Sequence, residues 1–235
     1  MILERLLQSQ GFGSRKACRA LIQQGRVRVA GYCCTAPNAE FLPPLKFSID
    51  DETWTYHAQI YLILYKPPGY ECSHTPQHHA SVYSLLPDPF RARGVVSVGR
   101  LDQDTTGLLL FSDDGAFVHA HTSPKKQVPK VYEVSTRHPL DEHQLTALLN
   151  GVQLHDEPSP LTAYGCRQTG THTLRLALTQ GKYHQVKRML AAVGNRVEAL
   201  HRAAIGSLVL GDLAVGQWRY LDAADLAALQ ASPEI

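Results

Sequence analysis

The run of residues 99–107, Gly-Arg-Leu-Asp-Gln-Asp-Thr-Thr-Gly, combines a cation and two carboxylates between apolar segments that are candidate strands. Arg100 and Asp102 are two residues apart, so in an extended backbone their side chains project from the same face. A nearby cation favours the ionised form of a carboxylate, which a nucleophile or a general base requires. The pattern alone slightly favours a structural alternative, an Asx turn that only accepts backbone hydrogen bonds, and Asp104 suits that role better than Asp102.

A second polar cluster, Gly-Lys-Tyr-His-Gln-Val-Lys-Arg-Met at 181–189, overlaps a predicted helix that ends at Gly194. His184 and Lys187 are three residues apart and therefore share one face of this helix. Cations near the start of a helix gain nothing from its dipole, so we expect phosphates or a catalytic carboxylate to face them. The alternative is a solvated basic face. The helix is predicted from the i, i+3, i+4, i+7 spacing of Val186, Met189, Leu190 and Val193.

Tyr132 follows Lys130 and Val131 in a predicted strand that extends to Thr136. An aromatic ring beside a cation on a strand can stack on a nucleobase. The alternative is a tyrosine that is simply half-buried in a sheet.

The first 31 residues carry six cations and one carboxylate, Glu4, for a net charge of +5, whereas the whole chain has a net charge of +2. This asymmetry indicates a polyanion-binding unit, with a solvated basic face as the alternative. Ser14 is a suitable N-cap for a helix over 15–24, and a strand is predicted over 26–29. The six cations are Arg5, Arg15, Lys16, Arg19, Arg26 and Arg28.

The order of elements predicts an α+β protein with two domains. A segment rich in proline and acidic residues occupies 32–58, and strand signals resume at 61–65, so we predict domains at 1–58 and 59–235. Residues 70–94 are predicted to be mostly loop, with a short helix near 82–86. The mixture of neighbouring strands with helices in the second domain predicts a mixed, mainly antiparallel sheet.

Composition excludes several classes of protein. With 44% hydrophobic and 19% charged residues among 235, the chain is neither disordered nor polybasic. It has no apolar run of the roughly 18 residues that a membrane helix needs and no signal-peptide layout at its start, so we expect a cytoplasmic protein. Its histidines and five cysteines lack zinc-site spacing, so we predict no metal site. No P-loop or dinucleotide-binding motif is present.

The N-terminal motif resembles the S4 RNA-binding domain. The matching run is Gly-Phe-Gly-Ser-Arg-Lys-Ala at 11–17 together with Gly-Arg-Val-Arg-Val-Ala-Gly at 25–31. The first helix departs from the family, since Ile-Leu-Glu-Arg at 2–5 replaces a common Arg-Leu-Asp-Lys start. The resemblance implies binding to structured RNA through the basic residues Arg15, Lys16, Arg19, Arg26 and Arg28.

The rest of the chain resembles the RsuA branch of the pseudouridine synthases. The run at 99–108 is similar to the signature of that family. Five further motifs fall in the family's order: Lys-Pro-Pro-Gly at 66–69, Thr-Ser-Pro at 122–124, Lys-Val-Tyr at 130–132, Gly-Val-Gln-Leu at 151–154 and Tyr-His-Gln-Val-Lys-Arg-Met at 183–189. The resemblance implies an isomerase without a cofactor, which breaks the N-glycosidic bond of a uridine, turns the uracil and rejoins it through carbon.

The resemblance also implies roles for individual residues. Asp102 matches the essential aspartate, whose role as attacker of the sugar, attacker of the base or proton acceptor stays open. Tyr132 matches the tyrosine that stacks on the target base, and Lys187 matches the cation that pairs with the aspartate, with Arg188 as its alternative. Arg100 is expected to insert beside the site that the extruded base leaves. Tyr65 replaces an asparagine that often precedes Lys-Pro in the family.

The motifs Gly-Val-Gln-Leu at 151–154 and His-Gln-Val-Lys at 184–187 look closer to family members that act on small-subunit rRNA, so the expected substrate is 16S rRNA or an assembling small subunit. An enzyme for large-subunit rRNA, a non-catalytic rRNA-binding assembly factor and an N-glycosylase are the alternatives. We expect a monomer that binds no membrane.

Overall fold

The computed structural model describes residues 1–235, which divide into two units. The N-terminal unit contains residues 1–60 and 86–96, and the large unit contains residues 61–85 and 97–235. The functional domain boundary at residue 58 stays a prediction. None of the helices has the length and apolar character that crossing a membrane requires.

The N-terminal unit contains three short helices and an antiparallel sheet of order β2-β1-β3-β4. As predicted, Ser14 caps the second helix, because its Oγ accepts a hydrogen bond from the Ala17 N–H at 3.2 Å. Apolar side chains of helices and strands, among them Leu7, Ile22 and Phe47, form the core. The helices are α1 (Leu3–Ser9), α2 (Arg15–Gln23) and α3 (Asp88–Ala92), and the strands are β1 (Val27–Val29), β2 (Tyr32–Cys33), β3 (Lys46–Ile49) and β4 (Glu52–Thr55).

The sequence did not predict β3, β4 or α3. The apolar residues that β3 and β4 pair across the sheet, Phe47 and Trp54, lie among prolines and acidic residues. The apolar pattern of the two strands is therefore too weak to recognise in the sequence. Helix α3 lies in the segment that we predicted to be mostly loop. It belongs to the N-terminal unit because Phe90 packs edge-on against Trp54, with ring centroids 6.0 Å apart, and because the Arg93 guanidinium donates to Gln10 Oε1 at 2.9 Å.

The large unit is built on a nine-stranded sheet. Its strands are β5 (Tyr61–Lys66), β8 (Val96–Val98), β9 (Thr106–Ser112), β10 (Lys130–Thr136), β11 (Gly165–Gly170), β12 (Thr173–Leu178), β13 (Val197–Ile205), β14 (Leu208–Val209) and β15 (Trp218–Tyr220). A two-stranded sheet consists of β6 (Tyr70–Glu71) and β7 (Ala80–Ser81). The α-helices are α4 (Gly115–Thr122), α5 (Glu142–Asn150), α6 (Gln185–Ala192) and α7 (Ala223–Ala228), and 3₁₀ turns occupy Val82–Leu85 and Pro124–Lys126.

The strand order of the large sheet is β11-β12-β10-β13-β9-β5-β15, with β14 on β13 and β8 on β9. Along this path β9 and β13 pair in parallel, and the other neighbours are antiparallel. The predicted α+β class with a mixed, mainly antiparallel sheet is therefore confirmed. The sequence did not predict β13, because one of its buried positions is occupied by a cation, Arg202, which masks the apolar alternation.

Gly107 allows β9 to approach β13 where the two strands pair in parallel. Its φ is +110°, and a Cβ on this residue would lie 2.3 Å from the carbonyl oxygen of Arg202 and 2.7 Å from its nitrogen. Both distances are too short for a non-bonded contact, so only glycine fits here. The contact fixes the point at which the preceding 99–105 loop enters the sheet.

We predict that Gly107→Ala destabilises the large unit by at least about 2 kcal/mol, through left-handed strain and the clash with the Arg202 backbone. The measurement is urea unfolding at equilibrium. Gly115→Ala is the matched control, because Gly115 begins α4 and a Cβ there meets no atom within 4 Å. Equal unfolding midpoints for the two variants would contradict the prediction.

Candidate active site

Asp102 lies in the loop of residues 99–105, which connects β8 to β9. The Thr105 N–H donates to the Asp102 carbonyl oxygen at 3.1 Å and closes a backbone turn over residues 102–105. Leu101 and Thr105 are buried on either side, whereas 28% of the Asp102 side chain is exposed. The loop therefore presents Asp102 at an accessible position on an anchored backbone.

Lys66 holds this loop from the end of β5. It is fully buried, and its Nζ donates to the carbonyl oxygens of Pro67 at 3.0 Å, Gln103 at 3.2 Å and Thr105 at 2.9 Å. The Gly69 N–H also donates to the Gln103 carbonyl oxygen, at 2.8 Å. Burial lowers the pKa of Lys66. These contacts give the Lys-Pro-Pro-Gly motif a physical role, which is to fix the backbone on the C-terminal side of Asp102.

Lys187 on α6 bridges two carboxylates of the loop. Its Nζ lies 3.1 Å from Asp102 Oδ2 and donates to Asp104 Oδ1 at 2.7 Å and Oδ2 at 2.9 Å. Burial lowers the pKa of Lys187, but the hydrogen bonds to Asp104 and Asp102 outweigh that effect and raise it. Burial likewise opposes ionisation of Asp104, and the hydrogen bond from Lys187 lowers its pKa nonetheless. The expectation that a carboxylate faces the basic cluster agrees with this geometry.

His184 occupies the N-cap position of α6 and also faces the loop. Its Nε2 lies 3.4 Å from Asp102 Oδ1, and its ring stacks on Tyr183 with centroids 3.9 Å apart. The backbone of His184 is left-handed, with φ of +46° and ψ of +35°. The two oxygens of Asp102 therefore have different cationic or polar neighbours, His184 at Oδ1 and Lys187 at Oδ2.

A small cavity of about 80 Å³ joins these groups to an aromatic ring. Asp102, Lys187 and Tyr132 all line it, together with Arg100, which is exposed. Tyr132 itself is largely buried, with 9% of its surface exposed. The structure thus brings together a carboxylate, its cation and a ring that the sequence placed in three separate segments. The ring offers a stacking surface for a base, and the carboxylate offers a nucleophile or proton acceptor, at the edge of one cavity.

Two family models match the chain. The model described as RNA pseudouridylate synthase matches residues 60–192, and the S4 domain model matches residues 3–41. The chain belongs to the RNA pseudouridylate synthase family. The predicted family, and the S4 domain at the N-terminus, are thereby confirmed.

Individual members of the family are similar to this chain over almost its whole length. Ribosomal small subunit pseudouridine synthase A of Escherichia coli K12 is 38% identical, with 97% of this chain and 100% of the relative covered. The protein of that name from Pasteurella multocida is 35% identical, with 97% and 98% covered. A solved structure of a pseudouridylate synthase is 32% identical with a TM-score of 0.69, covering 97% of this chain and 99% of the other.

Lys187 and Arg188 were both candidates for the cation of this family's aspartate, and the structure places only Lys187 beside Asp102. The Arg188 guanidinium lies 3.6 Å from Asp156 and 3.5 Å from Glu157, and it donates to the Tyr183 carbonyl oxygen at 3.1 Å. Consecutive residues on a helix point about 100° apart, so Lys187 and Arg188 cannot both face Asp102.

Sequence reasoning missed the contribution of three residues to this site. Asp104 was interpreted as a turn carboxylate, but it is the main partner of Lys187. His184 was grouped with Lys187 on one helix face, without a link to Asp102. Lys66 was part of a quoted motif but had no assigned role. The presence of two carboxylates two residues apart in one short loop was the available signal for a shared cation.

The predicted RNA-binding cations of the N-terminal unit are mostly paired. The Arg15 Nε and Arg19 Nε lie 2.6 Å and 2.8 Å from the carboxylate of Glu4, of whose side chain only 3% is exposed. Arg26 binds Asp50 through two hydrogen bonds, at 2.9 and 2.7 Å. The two arginines hold the pKa of Glu4 at about 2, with the hydrogen bond from Arg19 as the largest cause.

The lowered pKa of Glu4 predicts an acid-dependent loss of stability. The carboxylate contributes its stabilisation fully above its ordinary pKa of 4.5 and loses it as the pH falls towards about 2. Glu4→Gln should lower the melting temperature at pH 7 and flatten its decline between pH 4.5 and 2. Calorimetry across this range checks the prediction, with Glu52→Gln, an exposed residue of the same unit, as control. A Glu4→Gln profile parallel to wild type would refute it.

Proposed function

We propose that this chain converts a uridine of 16S rRNA in the small ribosomal subunit to pseudouridine, with Asp102 as the carboxylate that reacts with the nucleoside. The observation that carries this proposal is the meeting of Asp102, Lys187 and Tyr132 at one cavity. The substrate assignment is supported by the end-to-end similarity to enzymes named for the small subunit.

The proposed reaction exchanges one bond for another. The bond between ribose C1′ and uracil N1 breaks, the base turns, and C1′ joins C5. The proton on C5 is lost, and N1 takes up a proton, so the composition of the nucleotide is unchanged. The reaction therefore needs no cofactor, and the protein has to provide access, orientation and electrostatic stabilisation.

Four side chains can contribute to base extrusion and to stabilisation of the reacting groups. A uridine within RNA structure must be extruded before its glycosidic bond is accessible, at a cost of a few kcal/mol. Stacking of the base on Tyr132 can offset about 1–3 kcal/mol of that cost. Lys187 stabilises the negative charge of Asp102, and the exposed Arg100 can insert into the space that the extruded base leaves.

Binding to the rest of the RNA is proposed to involve both domains. Residues 1–58 would bind RNA through the cations of the N-terminal unit, and residues 59–235 would carry out catalysis, with Arg188 as a further phosphate contact. We propose that the enzyme acts as a monomer in the cytoplasm on 16S rRNA or on an assembling small subunit. The basic cations proposed for RNA binding are Arg15, Lys16, Arg19, Arg26 and Arg28.

We predict that Asp102→Asn reduces the rate of pseudouridine formation by at least about 10³-fold, because the amide cannot act as nucleophile or base. The measurement is single-turnover conversion of 16S rRNA and of assembling small subunits, with mapping of the modified position. Asp212→Asn, at an exposed turn of the large unit, is the matched control and should retain full activity.

Each other outcome of this experiment has a distinct meaning. Undiminished pseudouridine formation by Asp102→Asn would contradict the catalytic assignment. Release of free uracil by the wild type would indicate an N-glycosylase. Modification confined to 23S rRNA would refute the proposed substrate, and RNA binding without any modification would favour an assembly factor.

RNA affinity should fall steeply with salt, since each phosphate contact releases counterions. Lys16 is exposed and has no carboxylate partner, so Lys16→Ala should weaken binding to all RNA sequences and reduce the salt slope by about one unit. Filter binding at several salt concentrations measures this slope. Arg91→Ala is the control, because Arg91 pairs with Asp88 outside the basic cluster. A slope unaffected by Lys16→Ala would argue against an RNA contact there.

A further inference from the structure

His184 has an unfavourable backbone conformation at the edge of the candidate site. It is one of four residues other than glycine with a positive φ, and its side chain makes no capping hydrogen bond to α6. Glycine or asparagine would form the same turn with less strain. The His184 side chain does not cap α6, so the strained backbone has no evident structural purpose. The strain therefore indicates a role in the site.

The turn that imposes this conformation is held in place by Gln185. This side chain is buried, its Oε1 accepts a hydrogen bond from the Lys182 N–H at 3.0 Å, and its Nε2 lies 3.7 Å from Met189 Sδ. The imidazole of His184 is further oriented by stacking on Tyr183, with 17° between the ring planes. The backbone of the turn is thus anchored, and the ring nitrogen Nε2 lies 3.4 Å from Asp102 Oδ1.

Lys187 alone does not fix the orientation of the Asp102 carboxylate. Its two hydrogen bonds to Asp104, at 2.7 and 2.9 Å, are shorter than its 3.1 Å contact with Asp102 Oδ2. A single contact at one oxygen constrains the orientation of a carboxylate less than contacts at both oxygens do. The Nε2 of His184 lies 3.4 Å from the other oxygen, where a hydrogen bond would complete the pair of contacts that defines the plane of the carboxylate.

We propose that His184 is a positioning residue for the isomerisation, which orients Asp102 when its Nε2, now 3.4 Å from Oδ1, closes to hydrogen-bonding distance in the substrate complex. The inference rests on the proposed function of Asp102. It requires the proton on Nε2, as in one neutral tautomer or in the imidazolium. The oriented carboxylate then meets the extruded nucleoside in one geometry, and misplacement of a reacting group by about 1 Å can reduce a rate 10²-fold.

The test compares three variants by kcat, KM and melting temperature. His184→Ala and His184→Gln share the backbone strain, but only glutamine keeps an N–H donor at similar reach. We expect kcat to fall at least about tenfold in His184→Ala with KM within about twofold, and to recover substantially in His184→Gln. His184→Gly should lose the same activity while melting at or above the wild-type temperature, because the strain is relieved. His143→Ala, at an exposed position of α5, is the control and should match wild type.

The outcomes separate this inference from the proposed function. If wild type forms no pseudouridine, the proposed function fails and the inference fails with it. If wild type is active and His184→Ala has an unchanged kcat, only the inference is overturned. A rise in KM alone, no recovery in His184→Gln, or a melting temperature several degrees lower in His184→Gly would also overturn it.

Discussion

The ion pairs between Lys187 and the carboxylates of Asp102 and Asp104 are the interaction on which the candidate site depends. Two carboxylates this close repel one another unless a cation lies between them. Lys187 is 83 residues from Asp104 in the chain, so the contact exists only because α6 and the 99–105 loop meet in the folded large unit. The parallel pairing of β9 with β13, permitted by Gly107, fixes one side of that arrangement.

Lys66 and Lys187 have different roles in the site, because they differ in burial and in the groups that they bind. Lys66 is fully buried and binds only carbonyl oxygens, so it stabilises a backbone shape. Lys187 is partly exposed and binds carboxylates, so it balances charge at the cavity. An ammonium group directs its three N–H donors separately, which suits a bridge between Asp102 and Asp104. The planar fork of an arginine would favour bidentate binding to one of them.

The N-terminal unit uses a buried carboxylate to organise surface cations. Glu4 binds both Arg15 and Arg19, yet 52% and 51% of those side chains remain exposed. A guanidinium that is already fixed loses less conformational freedom when it meets a phosphate. Glu4 therefore lowers the net charge of the unit while it orients the groups that we propose to bind RNA.

The sequence by itself determined the local elements and the chemical repertoire. The capping of α2 by Ser14, the apolar face of α6, strands β5 and β9, and the cluster around Asp102 follow from spacing and residue type, because these patterns depend on neighbours within a few positions. The motifs also determined the family. Strand β13 could not be predicted in the same way, because buried Arg202 interrupts its apolar pattern.

The tertiary structure alone decided which charges meet. Charge counting could not show that Glu4 binds two arginines, that Asp104 accepts from Lys187, or that Arg188 lies near Asp156 and Glu157. Nor could it place His184 beside Asp102. These contacts join distant segments and depend on strand register and helix phase. Packing of the whole domain decides which segments meet, and the spacing of residues within one segment carries no record of that.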